Sequence, residues 1–252
     1  NLKTISFCSI KGGTGKSTLS IITALSLFRQ RLRVLAIDLD PQNSTTFFFA
    51  DDVKGKSIFN VLMGDKAENN IIKTKYGVDL IPSDLRLLDH KIREVGWLKN
   101  FLNQKINNNY DYVIIDSAPT YDNLTINCYV AADSIIIPCT VDIFCAKTVS
   151  FLFDQFEQLE IGKPVGIVLN MFRPSANKNK NLWNNKEAGI FFENNQLKKY
   201  IINTKIMRTQ ALHRIIAEVD YRIKGKTAEN LIDFVSEITG EALTITFIGG
   251  YA

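Results

Sequence analysis

Short apolar runs alternate with amphipathic stretches along most of the chain. Residues 5–9 and 34–37 read as strands buried on both faces. Residues 78–81, 112–115, 134–138, 165–169 and 201–206 repeat the theme. Between them the apolar spacing turns helical. Leu19, Ile22, Leu25 and Phe28 mark a helix over 17–29, and further helices are predicted over 85–106, 123–131, 146–159, 209–219 and 228–238. Strand-helix alternation with buried strands predicts a mostly parallel sheet with helices on both faces. The right-handed crossover rule makes that a doubly wound α/β fold. No internal repeat interrupts it. Polar residues 51–56 and the Asn- and Lys-rich residues 173–185 read as surface loops, and no linker divides the chain, so a single domain over 1–252 is expected. Residues 243–252 are β-prone and fit an edge strand, a cover over the sheet or a flexible tail equally well.

Composition narrows this picture. The 252 residues are 46% apolar and 22% charged, which excludes a disordered tail, a collagen-like fibre and a coiled-coil rod. No apolar run approaches the roughly 20 residues of a membrane helix. Residues 1–4 lead straight into a strand pattern without a basic-apolar-small leader, and the expected setting is cytoplasmic. Cys8, Cys128, Cys139 and Cys145 are scattered, with no CxxC pair, and read as buried thiols in a reducing compartment. His90 and His213 lack partners at motif spacing and read as structural or surface residues. Phe47, Phe48 and Phe49 read as the buried start of a helix, with a partner-facing patch as the alternative.

Charge is the more informative quantity. The formal net charge is only +4, but residues 171–226 hold twelve Lys/Arg against four Asp/Glu. Residues 227–252 hold four acids and no base, and residues 1–170 are balanced. One basic stretch on a balanced chain suggests an anionic partner.

Candidate chemistry begins at Lys11-Gly12-Gly13-Thr14-Gly15-Lys16-Ser17-Thr18, directly after the first strand and before the first helix. The glycines permit backbone conformations that let N–H groups converge on phosphate oxygens, and the helix N-terminus adds its dipole. Lys16 is placed to reach the β- and γ-phosphates and Ser17 to ligate Mg²⁺. The GxxxxGK[ST] pattern is not met in full, because Ile10 stands where its first glycine belongs. At the end of the 112–115 run, Asp116 lies where doubly wound sheets bind ligands and suits a Mg²⁺ shell. Asp38 and Asp40 leave another buried strand on the same face. One suits the metal's shell and the other the attacking water, and two carboxylates so close call for a cation nearby.

Lys11 to Ser17, then Asp38-Leu39-Asp40-Pro41-Gln42, then Asp116-Ser117-Ala118-Pro119 resemble the deviant-Walker P-loop ATPases. Within that group the chain resembles the ParA plasmid and chromosome partition ATPases, and its Asn- and Lys-rich composition is similar to that of spirochaete plasmid partition proteins. The resemblance implies ATP and Mg²⁺ as ligands. It implies that Lys11 reaches across an ATP-bound homodimer to the partner's phosphates, that Lys16 binds phosphate, and that Thr18 meets the α-phosphate. It further implies that Ser17, Asp38 and Asp116 form the metal site, that Asp40 orients water, and that Asn170 reads the adenine edge. Nonspecific double-stranded DNA and a ParB-like stimulating partner follow from the same resemblance, as does a nucleoid-associated location. Arg208, Arg214, Arg222, Lys224 and Lys226 are the DNA candidates. The family usually has Ile-Pro-Arg where this chain has Ile206-Met207-Arg208. Rival readings share the loop. A MinD-like ATPase would carry a basic amphipathic anchor, which residues 227–252 lack. A nitrogenase-iron-protein type would set its cysteines in a Gly-rich cluster-binding context. A metabolic ligase would leave the basic stretch unexplained, and a scaffold without turnover would leave Lys16, Asp40 and Asp116 unexplained.

Overall fold

The computed structural model describes residues 2–89, 94–106, 108–172, 186–209 and 225–243. Among the described residues there are seven strands: β1 (Lys3–Phe7), β2 (Val34–Leu39), β3 (Ile72–Lys73), β4 (Asp79–Ile81), β5 (Tyr112–Ser117), β6 (Ser134–Thr140) and β7 (Val165–Asn170). Their hydrogen-bonding order is β3-β4-β2-β5-β1-β6-β7. The β1–β5, β2–β5 and β2–β4 pairs are parallel, and β3 is antiparallel to β4. Every residue of β2 and β5 is buried, as strands covered on both faces require. The doubly wound α/β expectation therefore holds.

Contacts group the chain into two compact units. The first comprises residues up to Cys8 with Lys16–Ile135. Its long helix α1 (Lys16–Arg29) packs on β1, β2 and β5 through a continuous buried set from Leu19 to Leu27. Three short helices follow: α2 (Ser44–Phe49), α3 (Ile58–Leu62) and α4 (Ala67–Asn70). Phe48 and Phe49 are buried against Tyr76, with ring centroids 5.2 and 5.9 Å away, while Phe47 is exposed. Residues 51–56 form the expected loop.

The continuous helix predicted over 85–106 is not formed. Asp84 caps a single 3-10 turn at Leu85–Leu88, and Gly96, at φ 98°, starts a new helix α5 (Trp97–Phe101) that ends in a π turn, Leu102–Ile106. A left-handed residue cannot sit inside an α-helix, so Gly96 divides the segment. Helix α5 is fixed to α6 (Asn123–Ala131) by one fully buried side chain. Asn127 Oδ1 accepts from Gly96 N and Leu98 N at 3.0 and 3.2 Å. Its Nδ2 donates to Glu94 O and Asn123 O at 2.9 and 2.8 Å.

The second unit comprises Ser9–Gly15 with the described residues from Ile136 onward. Helix α7 (Ile143–Gln158) packs against α8 (Lys186–Asn194). It starts before the predicted residue 146 because Asp142 caps it. The last helix, α9 (Lys226–Thr239), buries Ala228, Leu231, Ile232, Phe234 and Val235, an i, i+3, i+4, i+7 stripe. The strand predicted over 201–206 survives only as bridges of Ile201 to Ile167 and Met207 to Phe172. Glu237 of α9 takes the Asn203 and Thr204 N–H groups at 2.6 and 2.8 Å, which removes them from any ladder. The predicted helix 209–219, loop 173–185 and most of the segment 243–252 lie outside the described residues, as do both histidines.

Replacing Asn127 by Ala removes the acceptor of the half-buried Gly96 N–H and the buried Leu98 N–H, together with the donor to Glu94 O and Asn123 O. The Asn127→Ala variant is expected to lose about 3 kcal/mol of unfolding free energy in urea titration, with the loss concentrated in faster exchange of the α5 amides.

Candidate nucleotide site

The loop after β1 turns on Gly13 and Gly15, at φ 73° and 95°. Ser9 Oγ donates to Lys11 O at 3.1 Å within the turn. Asn170, at the end of β7, braces it from the side, its Nδ2 donating to Thr14 O at 2.7 Å. A Cβ on Gly15 would stand 2.2 Å from that Nδ2, so glycine is required there for space as well as for backbone angle. Asn170 Oδ1 accepts from Met171 N at 2.8 Å. Both polar atoms of this side chain are thus engaged with backbone, and the geometry makes Asn170 a brace for the loop; it lends the adenine-edge expectation no support.

Lys11 points along the same unit. Its Nζ donates to Asp142 Oδ2 at 2.6 Å and to Thr140 Oγ1 at 3.2 Å. Thr140 Oγ1 also donates to Asp142 Oδ2 at 2.6 Å, and Asp142 Oδ1 accepts from Cys145 N at 2.9 Å, capping α7. Burial works to raise the Asp142 carboxyl, but Lys11, Thr140 and the Cys145 amide outweigh it and hold the group below its usual range. The side chains of Lys11 and Asp142 are 32% and 31% exposed, so this pair is partly screened by water.

In the first unit, Lys16 opens α1 and is buried, with Ser17 and Thr18 half-buried after it. Asp38 and Asp116 occupy paired positions on the adjacent strands β2 and β5, and both are buried. Burial pushes the Asp38 carboxyl up to about 8, with the charge of Asp116 adding to the rise. Burial pushes Asp116 up to about 6; the hydroxyls of Ser17 and Thr45 and the charge of Lys16 oppose that, and Asp40 adds to it.

Donors are shared unequally between the two. Asp38 Oδ1 accepts from Asp40 N at 3.0 Å, and its Oδ2 accepts from Thr46 N and Thr46 Oγ1 at 2.7 and 2.8 Å. Asp116 Oδ2 accepts from Thr45 Oγ1 at 2.7 Å, whereas its Oδ1 is buried with no hydrogen-bond partner. Asp40 is buried, and its Oδ1 accepts from Gln42 N at 2.9 Å. A buried bare carboxylate oxygen, with a hydroxyl and an ammonium close by, is what a hard cation carrying phosphate oxygens would complete. Among the described residues no group of three or more His, Cys, Asp and Glu forms a metal cage of its own. Mg²⁺ is commonly held by one or two carboxylates plus substrate phosphates, and the residues present fit that pattern. Asp38, expected in the metal's shell, already has three donors.

Four polar residues of these clusters escape the sequence reading: Thr45, Thr46, Thr140 and Asp142. Their signal is positional: Thr140 ends β6 and Asp142 follows it, while Thr45 and Thr46 lie in the first helix after β2, all at the C-terminal side of the strands. Of the DNA candidates, Arg208 and Lys226 are exposed, and Arg214, Arg222 and Lys224 lie outside the described residues. Met207, in place of the usual proline, sits in the bridge to Phe172, and Arg208 N donates to Phe172 O at 3.0 Å. All four cysteines are free and buried, as expected. No helix among the described residues is long and apolar enough to cross a membrane.

A family model described as an AAA domain matches residues 2–163. The virulence-plasmid ParA family protein pGP5-D of Chlamydia muridarum is 29% identical over 94% of this chain and 92% of its own length. The chromosome-partitioning ATPase Soj of Thermus thermophilus is 26% identical over 68% of this chain and 70% of its own. A plasmid partition protein of Borrelia burgdorferi B31, crystallised with AMPPNP, superimposes with a TM-score of 0.77 at 27% identity, covering 92% of this chain and 98% of that one.

A carboxylate whose pKa is raised by folding costs nothing where native and unfolded chains are both protonated. Its cost grows with pH through the window between its ordinary value, about 4, and its raised value. For Asp116 and Asp38 that window runs up to about 6 and about 8. Asp116→Asn removes one charge of the pair. The nucleotide-free variant is expected to be more stable than the parent, by about 1–3 kcal/mol of unfolding free energy at pH 8 and by less at pH 5; a calorimetric series across that range checks the sign.

Proposed function

The chain belongs to the ParA family of partition ATPases, and from that membership we propose that it is an ATP-gated DNA-segregation switch, gripping duplex DNA as a triphosphate-bound dimer and releasing it on hydrolysis. The observation that carries the catalytic half is the bare, buried Oδ1 of Asp116 near Lys16 and Ser17. Backbone N–H groups of Gly12, Gly13, Thr14 and Gly15 bind phosphate oxygens, as the left-handed turns at Gly13 and Gly15 permit. Lys16 neutralises the β- and γ-phosphates, and Thr18 meets the α-phosphate. Ser17 and Asp116 would hold Mg²⁺, which would supply charge neutralisation to the nucleotide's phosphates. Asp40 orients the attacking water, its Oδ1 steadied by Gln42 N. Asp38 anchors the backbone of the Asp40 turn and sits beside the metal's shell.

Lys11 acts in the opposite subunit of the dimer, stabilising charge that develops on the transferred phosphoryl group. In the single chain it rests on Asp142, a pair exposed enough to exchange for a more highly charged anion. Dimerisation also doubles the basic charge carried by residues 171–226, to which the exposed Arg208 and Lys226 belong. Affinity for duplex DNA then follows from phosphate neutralisation without sequence readout. A ParB-like partner stimulates turnover, and the protein works in the cytoplasm on the nucleoid.

Lys16→Ala is expected to lower ATP hydrolysis by roughly a hundredfold or more. Lys11→Ala is expected to abolish ATP-induced dimerisation in light scattering, and unchanged hydrolysis in that variant would remove the trans-lysine role. Binding to an arbitrary duplex is expected only with ATP. For six or more neutralised phosphates it should weaken by about a thousandfold between 50 and 200 mM salt. Vesicle binding in place of DNA binding would overturn the partition reading.

A further inference from the structure

The unequal distribution of donors over the two buried carboxylates traces to two neighbouring residues. Thr45 and Thr46 stand in the first turn of α2, about 100° apart around the helix, so their hydroxyls reach different groups. Thr46 gives both its N–H and its hydroxyl to Asp38, and its oxygen accepts from Ser83 N at 2.9 Å, which fixes the hydroxyl as a donor toward Asp38. Thr45 gives a single hydroxyl to Asp116 Oδ2 and is itself buried. With Asp40 N on Asp38 Oδ1, three of the four carboxylate oxygens have donors and one, Asp116 Oδ1, has none.

We infer that Thr45 is a positioning residue of the metal site: by holding Oδ2 of Asp116 it fixes the carboxylate so that Oδ1 is presented, undivided, to the cation that accompanies the nucleotide. Thr46 holds the other carboxylate to the Asp40 turn. This inference rests on the reading of the site as a Mg²⁺-nucleotide centre, and goes beyond it in assigning which residues sort the two acids. The carboxylate is the metal's neighbour and Thr45 its outer support. Such supports typically govern metal affinity by ten- to a hundredfold. They do so by orientation, because a carboxylate free to rotate presents its lone pairs to the metal only part of the time.

The test is a Mg²⁺ titration of the full chain at saturating AMPPNP, read as the thermal unfolding shift. Thr45→Val, which keeps the side chain's shape and removes its hydroxyl, is expected to raise the Mg²⁺ concentration at half-shift by ten- to a hundredfold. Thr45→Ala, which makes no demand for the second methyl, should give the same displacement if the valine variant fails to fold. Thr45→Ser restores the hydroxyl and should return the half-shift to within about threefold of the parent. Thr46→Val should displace it by clearly less than Thr45→Val does, because the Thr46 hydroxyl serves Asp38. An unchanged half-shift in Thr45→Val or Thr45→Ala overturns the inference, as does an equal displacement in Thr46→Val. A parent protein with no Mg²⁺-dependent shift at all would overturn the reading of the centre itself. The two failures are therefore distinguishable.

Discussion

Two carboxylates buried opposite one another on neighbouring strands set the terms for the first unit. Asp38 and Asp116 share a register position on β2 and β5, and both are buried there. Like charges in a low-dielectric interior repel strongly, and burial itself disfavours the charged form of each. The protein offsets this with hydroxyls, backbone N–H groups and the ammonium of Lys16. It does not offset it fully, since one oxygen is left without a donor. A hydrophobic pair at these positions would fold more stably. The arrangement makes sense as a socket whose last contact is supplied from outside, so that ligand binding and native-state stability become one equilibrium.

The second unit treats its charge differently. Lys11 and Asp142 satisfy one another, and Asp142 stays useful to the fold in either state because its other oxygen caps α7. The ion pair is one-third exposed and of the kind that contributes little to stability. That makes it cheap to open. A lysine held by a buried carboxylate would be unavailable for chemistry; a lysine held at the surface by a helix cap is stored without being trapped.

Much of this was legible in the sequence because it depends on local pattern. Glycines at 12, 13 and 15 between a strand and a helix announce the phosphate loop, and the apolar run before Asp116 announces a strand end. The strands β2, β4, β5, β6 and β7 fell within a residue or two of the hydrophobic runs. What escaped depends on distant partners. The segment 201–206 has strand composition, and Ile202 N and Ile206 N do donate to β7, yet Glu237 from α9 claims the Asn203 and Thr204 N–H groups between them. Residues 85–106 have helical spacing, yet Gly96 adopts a left-handed angle and Asn127 holds the new start. Helix α2 is the extreme case. Ser-Thr-Thr-Phe-Phe-Phe is composed of residues with poor helix propensity, and the phenylalanines expected to start a helix instead end one that begins at Ser44.

Why α2 forms is the step that joins stability to function. Six residues are too few for a helix to hold by its own hydrogen bonds. Its N-cap, Asn43, is left-handed and makes no side-chain capping bond. Two anchors remain: Phe48 and Phe49 packed on Tyr76, and the hydroxyls of Thr45 and Thr46 on Asp116 and Asp38. The Asp40 turn lies between Asp38 at its start and those threonines at its end. It is a short loop closed at both ends onto the same two carboxylates. Any change in charge at Asp116 alters what Thr45 is bonded to, five residues of chain from Asp40. The group proposed to orient the attacking water is thereby tied, through one helical turn, to the group proposed to hold the metal. A loop so short has few alternative shapes, so occupancy of the metal site and geometry at Asp40 change together.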